Sequence, residues 1–484
     1  MPYDSIEDGL DTISKILRSE SPIESSLIEE LQFLASLINA TSTSSGSDDH
    51  LTWNYLEEII SHTYLNDETM RVRLYRAVLV LTRNIIIHEP SDVKIVSSTM
   101  TNLEKFATVV SPSHEFYGKT IEIYIQILAN IQNLELSDTL INYLNDKIIP
   151  IISYQDAYIH PTITFLSHAF SSKSDDETHH NEQIYALLQV PYGSNNIMRY
   201  LESSFFKVNP LDGSNGHDHS AYDHILYKLL IEIITHESFT KWITSETIGE
   251  EGFIEWLKIN QLLLTAESNW NNYQLTATLS WVIKAFQTYT PLTIETIEGM
   301  KTNQDNVNMI DGKHEQLIII ILDIISDLSK YHQAQKMLIH YNLLEPLVKL
   351  FRSIHQNFQA ITLKSNTTSD SRIKSPFPDA KSIIIEIISY LAYENFEVQE
   401  TIRQLHGLEL VLSNCIIDDA NPYIRERAII CLKYLLANNS ENQKFVAALE
   451  AQGTNRANEE IIEKAGYELE FVDGKVQLKQ KPST

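Results

Sequence analysis

The residues best suited to chemistry in this chain are His217 and His219, which flank an aspartate, with His224 close behind. Imidazoles beside a carboxylate are ligand chemistry for copper or zinc. No neighbouring residue supplies a defined fourth ligand or a second shell, and a bound metal needs both. A solvated loop is the plainer expectation, so no metal or other cofactor is expected. The pair His179-His180, set in an acidic stretch, has less support still. Cys415 and Cys431 are the only cysteines. Both stand in apolar helical surroundings, where a free thiol packs as a small hydrophobe. Two cysteines are too few for a disulfide framework or a structural zinc site, and they fit a reducing, intracellular setting.

Catalytic signatures are missing. No Gly-x-x-x-x-Gly-Lys-Ser/Thr, Gly-x-Gly-x-x-Gly, His-Glu-x-x-His or Gly-x-Ser-x-Gly pattern occurs, so no catalytic residue is assigned and the chain is not expected to be an enzyme. Trp256 and Asn260 have the four-residue spacing with which importin-α-type armadillo proteins hold basic peptides. One such match among five tryptophans is expected to be core. Ser21-Pro22, Ser111-Pro112 and Ser375-Pro376 are minimal sites for proline-directed kinases. Ser375 is the modification candidate, because it precedes a helix and phosphate near a helix N-terminus is stabilised there.

Charge narrows the partners. Against 64 Asp and Glu the chain sets 37 Lys and Arg, for a net charge of −27. Such a surface repels phosphate backbones and anionic headgroups, so neither nucleic acid nor membrane is the expected partner. Other proteins remain, and basic segments would be attracted at long range. A local basic patch is compatible with the total, since a sum hides its distribution. No apolar run approaches the ~20 residues that span a bilayer. The opening residues carry no basic stretch leading into an apolar one, so no secretory signal is expected.

The elements that must position any site are helical. Gly and Pro number 14 each, about 6% of the chain against roughly 12% in an average protein. Leu74, Ala77, Val78, Leu81 and Ile85 recur at helical spacing, as do Ile121, Tyr124, Ile125, Leu128 and Ile131. Further helices are expected over 223–234, 274–286, 316–328 and 381–391. The all-apolar runs Leu317 to Leu322 and Ile383 to Ile385 belong to central helices, because the periodicity outruns strand length. Polar insertions at about 41–50, 171–181, 209–223 and 364–376 bury too little apolar surface to offset their ordering entropy and are expected at the surface.

A repeat is visible without gaps at an offset of 44 residues. Pro378 falls on Pro422, Ile385 on Ile429, Tyr390 on Tyr434, Asn395 on Asn439 and Gln399 on Gln443. Within each copy a Pro is expected to start a helix and Asn395 or Asn439 to stop it. A diverged third copy lies upstream at an offset of 64, where Leu338, Leu344 and Leu347 meet Ile402, Leu408 and Val411; the polar insertion accounts for most of the excess. A period in the low forties is that of armadillo and HEAT arrays. The expected fold is therefore all-α, a right-handed superhelical solenoid whose concave face binds partners. Residues 1–363 would form the N-terminal repeats, 377–450 a C-terminal domain, and 451–484 a charged helix and hairpin. In that tail Asp473-Gly474 is a two-residue turn signal that would set Phe471 opposite Val476 and Leu469 opposite Leu478. A lone hairpin is marginal in water, so it is expected to dock on the last helices.

The stretch from Phe377 to Leu391, Leu412-Ser-Asn-Cys-Ile-Ile-Asp-Asp419, Asn421-Pro-Tyr-Ile-Arg-Glu426 and Asn439-Ser-Glu-Asn-Gln443 resemble the C-terminal domain of the ataxin-10 family. The resemblance implies a cytoplasmic armadillo-repeat protein without catalytic activity, linked to cytokinesis and cell survival. Fungal members also carry a name tied to copper transport. Ile429-Ile-Cys-Leu-Lys-Tyr434 departs from the Trp-containing run of the animal pattern, which touches partner identity more than fold.

Overall fold

The computed structural model describes residues 6–19, 49–61, 68–86, 93–131, 134–153, 158–171, 181–209, 221–266, 269–302, 313–358, 360, 376–377, 379–419, 421–452, 461–464, 466–472 and 475–480. They form two compact units, Met1–Gly249 and Glu250–Thr484. Both are built as helical repeats, and among the described residues the only strands are the two of the C-terminal hairpin.

The first unit contains α1 (Ile6–Leu17), α2 (Asp49–Ser61), α3 (Glu68–Ile86), α4 (Val93–Val109) and α5 (Tyr117–Asn130). Next, α6 (Asp138–Tyr143) runs through a π-helical turn (Leu144–Ile148) into α7 (Ile149–Ile152). There follow α8 (Ile159–Phe170), α9 (Glu182–Gln189), α10 (Asn196–Val208), α11 (Ala221–Ile234) and α12 (Phe239–Ile243). The longer helices stack in a row, α3 on α5, α5 on α8 and α8 on α11. Leu74, Val78 and Leu81 are fully buried on α3, and Tyr124, Ile125 and Leu128 on α5, so the sequence periodicity marks the packed faces. Phe106 of α4 stacks on Tyr75 at 5.2 Å between ring centroids, and the buried hydroxyls of Tyr75 and Tyr124 bond to each other. That bond lets two phenols enter an apolar core without stranding a polar atom.

The second unit contains α13 (Gly249–Ala266, all but its first residue), α14 (Asn272–Thr302), α15 (Lys313–Leu328), α16 (His332–His340) and α17 (Leu344–Asn357). It continues with α18 (Ala380–Ala392), α19 (Phe396–Gln404), α20 (Gly407–Ser413), α21 (Ile424–Leu436) and α22 (Ser440–Gln452). Strands β1 (Tyr467–Val472) and β2 (Lys475–Gln480) close the chain. Here α15, α18 and α21 form the row. The run Leu317 to Leu322 is helical and almost wholly buried within α15, as is Ile383 to Ile385 within α18.

The repeat holds to the residue. Helices α18 and α21 begin and end 44 residues apart, and α16 and α19 begin and end 64 apart. Each copy also reuses one glutamine. Gln335, Gln399 and Gln443 donate from Nε2 to carbonyls near the end of the preceding helix, those of Ser329 (2.9 Å), Ala392 (3.2 Å) and Leu436 (2.8 Å). Such a bond satisfies a carbonyl that the helix terminus leaves without an intrahelical partner.

Several expectations need correction. Asn395 and Asn439 do not stop helices. The left-handed residues are Glu394 (φ 50°) and Asn438 (φ 55°), and the asparagines behind them start the next helix. Asn395 Oδ1 accepts from the Val398 amide, and Asn439 Oδ1 from the Asn442 amide, as N-caps do. Pro422 likewise precedes the N-cap Tyr423 and does not occupy the first helical turn. The insertion placed at 41–50 gives way to helix at Asp49, and Asp223, expected at the surface, is buried on α11. In the tail, β1 and β2 pair antiparallel with Phe471 opposite Val476 and Leu469 opposite Leu478. The hairpin docks on its own chain, β2 against α22, with Tyr467 buried. The turn residues Asp473 and Gly474 lie outside the described residues.

Candidate partner-binding groove

Helix α18 is buried on nearly every side, and its few accessible residues and the outer stripe of α21 frame a groove of about 450 Å³. Glu386 and Tyr390 come from α18 at helical spacing and Tyr393 from its extended C-cap, and Arg427, Ile430 and Tyr434 come from α21 at helical spacing. Lys330 and Gln335 close one end from the α15–α16 corner. Tyr390 and Tyr434 are the same position in successive repeats, so the groove is the repeat read sideways.

One end of the groove is polar, and its charges are already matched. Lys330 Nζ lies 2.6 Å from Asp327 Oδ1, and Arg427 Nη2 lies 3.1 Å from Glu386 Oε2. Tyr390 donates its hydroxyl to Glu386 Oε1 at 3.2 Å, and Arg427 Nη1 donates to Ser382 Oγ at 2.9 Å. Burial and the neighbouring Glu386 carboxylate push the Tyr390 phenol upward. The other end is apolar. Tyr393 and Tyr434 meet edge to face at 5.0 Å, with Tyr393 54% and Ile430 48% exposed. Large, rigid, half-wet aromatics with a matched polar rim are what protein-recognition surfaces offer.

Beside this repeat, the loop from α20 to α21 is inverted in polarity. Asn414, Asp418 and Asn421 are buried, although Asp419 is exposed. Lys381 Nζ lies 3.7 Å from the buried Asp418 Oδ2 and donates to the Phe358 carbonyl at 3.2 Å. Asn414 Nδ2 donates to the Leu410 carbonyl at 2.7 Å and meets His355 Nδ1 at 3.2 Å. Burial lowers the Lys381 ammonium against the opposing pull of Asp418, and lowers His355, which also faces Lys381. Three of its apolar residues point outward, Ile416 at 47%, Ile417 at 61% and Tyr423 at 71% exposure, while Cys415 is buried. Nothing in its sequence pattern announced that inversion, because burial of Asp418 depends on an ammonium from another helix.

Of the residues singled out from sequence, His217, His219 and Ser375 lie outside the described residues, and His224 is exposed on α11. Among the described residues no three His, Cys, Asp or Glu side chains come together as a metal site. Trp256 and Asn260 are fully buried in α13, so they cannot hold a peptide. Cys415 and Cys431 are buried, and burial pushes both thiols up to about 12. Of the groove residues only Tyr390 and Tyr434 left a trace in sequence, as partners across the 44-residue offset. Among the described residues no helix is long and apolar enough to cross a membrane.

Comparison with known proteins agrees with the C-terminal motifs. A family model described as the spinocerebellar ataxia type 10 protein domain matches residues 380–479, which include the α18 and α21 sides of the groove and the inverted loop. An ataxin-10 homolog of Debaryomyces hansenii is 32% identical over 99% of this chain and 97% of its own length. One of Candida albicans is 34% identical over 98% and 99%. Ataxin-10 of Xenopus tropicalis is 31% identical over 35% of this chain and 36% of its own. Among solved structures, SYS-1 aligns over 95% of this chain and 77% of its own at 10% identity and a TM-score of 0.26, too low to bear on the fold. With near-complete coverage at such identity, and with the family's domain lying over the 44-residue repeat, this chain belongs to the ataxin-10 family.

Proposed function

We propose that this protein is a non-catalytic scaffold that holds a partner protein in the groove between α18 and α21. The observation that carries the reading is the combination of exposed Tyr393 and Ile430 and half-buried Tyr434 with cations whose carboxylates are already supplied. A surface of that kind gains from covering apolar area while leaving its charges undisturbed. The groove lies on the row of long helices, where a solenoid presents partners with an extended surface. An extended segment or a single helix suits its form. A cytoplasmic setting and a regulatory role in cell division are part of the proposal, with family resemblance as their support, and the buried free thiols are compatible with that setting.

A photo-crosslinking residue at Ile430 tests this in dividing cells. The expected result is a reproducible protein adduct that disappears when Tyr393 and Tyr434 are both changed to Ala, with no adduct from the same probe at the exposed Glu441 on α22. Adducts indifferent to the tyrosine changes would refute the groove as the docking site.

A further inference from the structure

The chain is strongly acidic, yet α3 carries Arg71, Arg73, Arg76 and Arg83 against Glu68 alone. Arg73, Arg76, Val80 and Arg83, spaced three, four and three apart, share one face of the helix, and Arg71 lies on another. Two of the guanidiniums use one ring. Arg73 Cζ stands 5.4 Å and Arg76 Cζ 6.0 Å from the centroid of Phe116, just ahead of α5. Arg83 has amides for company, Gln126 Oε1 at 2.7 Å from Nη1 and Asn84 Oδ1 at 3.0 Å from Nη2. Arg76 Nε is buried without a hydrogen-bond partner.

Among the described residues none of these three has a carboxylate in ion-pair range. Arg18, Arg403 and Arg427, elsewhere in the chain, each have one. A guanidinium offers a planar fork of donors that matches an oxyanion. Cation–π contact and amide hydrogen bonds hold the side chains in place without neutralising them. Such a stripe is a positioned anion receptor on a protein whose total charge would suggest the opposite.

The spread of the charges selects the ligand. Ten residues of helix from Arg73 to Arg83 cover about 15 Å, the reach of roughly four to five residues of extended chain. One phosphate group cannot bridge that distance, whereas carboxylates along an extended peptide can. A nucleic acid would bring continuous negative charge against the rest of an acidic surface, and a second copy would bring a net −27 of its own. A short acidic segment brings only a few charges. We propose that the Arg73–Arg76–Arg83 face of α3, with Phe116 beside it, docks an extended Asp/Glu-rich segment of a partner protein. This surface lies in the first unit and is independent of the groove in the second, so either can fail alone.

The test is fluorescence anisotropy of a labelled ten-residue peptide alternating Glu and Ser, titrated with the full chain. Expected is binding that weakens with added salt and falls at least about tenfold when Arg73, Arg76 and Arg83 are all changed to Gln. The same arginines changed to Lys, which keep the charge and lose the fork, should lie between the two. A control with Lys147, Lys349 and Lys444 changed to Gln should bind as the parent does, and circular dichroism establishes that every variant is folded. The proposal is overturned if the Gln variant binds as well as the parent. It is equally overturned if a singly phosphorylated, otherwise neutral peptide or a short oligonucleotide binds more tightly than the acidic peptide, or if sedimentation shows the chain self-associating through this face.

Discussion

The groove of the second unit and the arginine face of the first are both rows of helices with polar outer stripes, yet they settle their charges in opposite ways. At the groove, Lys330 and Arg427 each face a carboxylate of the same repeat array. On α3, Arg73, Arg76 and Arg83 face a ring and two amides. A surface with matched charges can discriminate only by shape and apolar contact, whereas an unmatched one discriminates by charge. The lesson is that an electrostatic role belongs to the pairing of individual groups, and a net charge summed over the chain describes neither surface.

The largest expected effect lies where charge pairing is buried. Asp418→Ala would strand the Lys381 ammonium beneath the inverted loop, and the loss of stability should be about 3–5 kcal/mol by urea unfolding. Arg83→Gln, on the unmatched and partly exposed face, should change stability by less than about 0.5 kcal/mol. Equal effects from the two substitutions would erase the contrast between the regions.

A medium effect is expected from Asp323 on α15, which accepts from Gln261 Nε2 at 2.9 Å. Burial, then repulsion from Asp327, Asp379 and Glu386, raises its carboxyl from 3.8 to about 6. A folded-state value above the unfolded one means that the folded form holds the proton more tightly. The group therefore costs nothing at pH values below about 4, and its cost grows between about 4 and 6 and is complete above that. Asp323→Asn should raise stability at pH 7.5 by about 2 kcal/mol and leave it unchanged at pH 3.5, as read from denaturant midpoints. A variant no more stable at pH 7.5 would show that carboxylate crowding beside the groove is relieved in solution.

The smallest effect tests the repeat itself. Glu394 and Asn438 hold matching left-handed positions, and glycine adopts that conformation without strain. Glu394→Gly should stabilise by up to about 1 kcal/mol and Asn438→Gly by less, because asparagine tolerates the conformation better than glutamate. Thermal midpoints of the two variants give the comparison, and a loss of stability from Glu394→Gly would mean that its side chain contributes more than its backbone costs.

Much of the fold could be read from residue spacing. The stripes through Leu74 and Ile121 marked α3 and α5, and the 44-residue match paired α18 with α21, because a helix that must bury one face repeats its apolar residues at 3.6. The Asp-Gly turn gave the hairpin register, since side chains alternate across a strand. Cap assignments were less legible. Asn395 and Asn439 can serve a helix end or a helix start, and only the backbone at Glu394 and Asn438 decides between them.

The candidate surfaces were mostly hidden, for one reason. Tyr390 and Tyr434 could be paired by their offset, but Lys330 reaches the groove from another repeat and Phe116 reaches the arginines from another helix. Sequence alone determined that the chain is a succession of amphipathic helices with a repeated C-terminal unit, because periodicity is a local property. Only the tertiary structure decided which charges are neutralised and which are left facing water. Lys330 with Asp327 is a local pair, but the pairings of Lys381 with Asp418 and Arg427 with Glu386, and the contact of Arg73 with Phe116, depend on distances of a few ångströms between residues far apart in the chain, which no local pattern encodes.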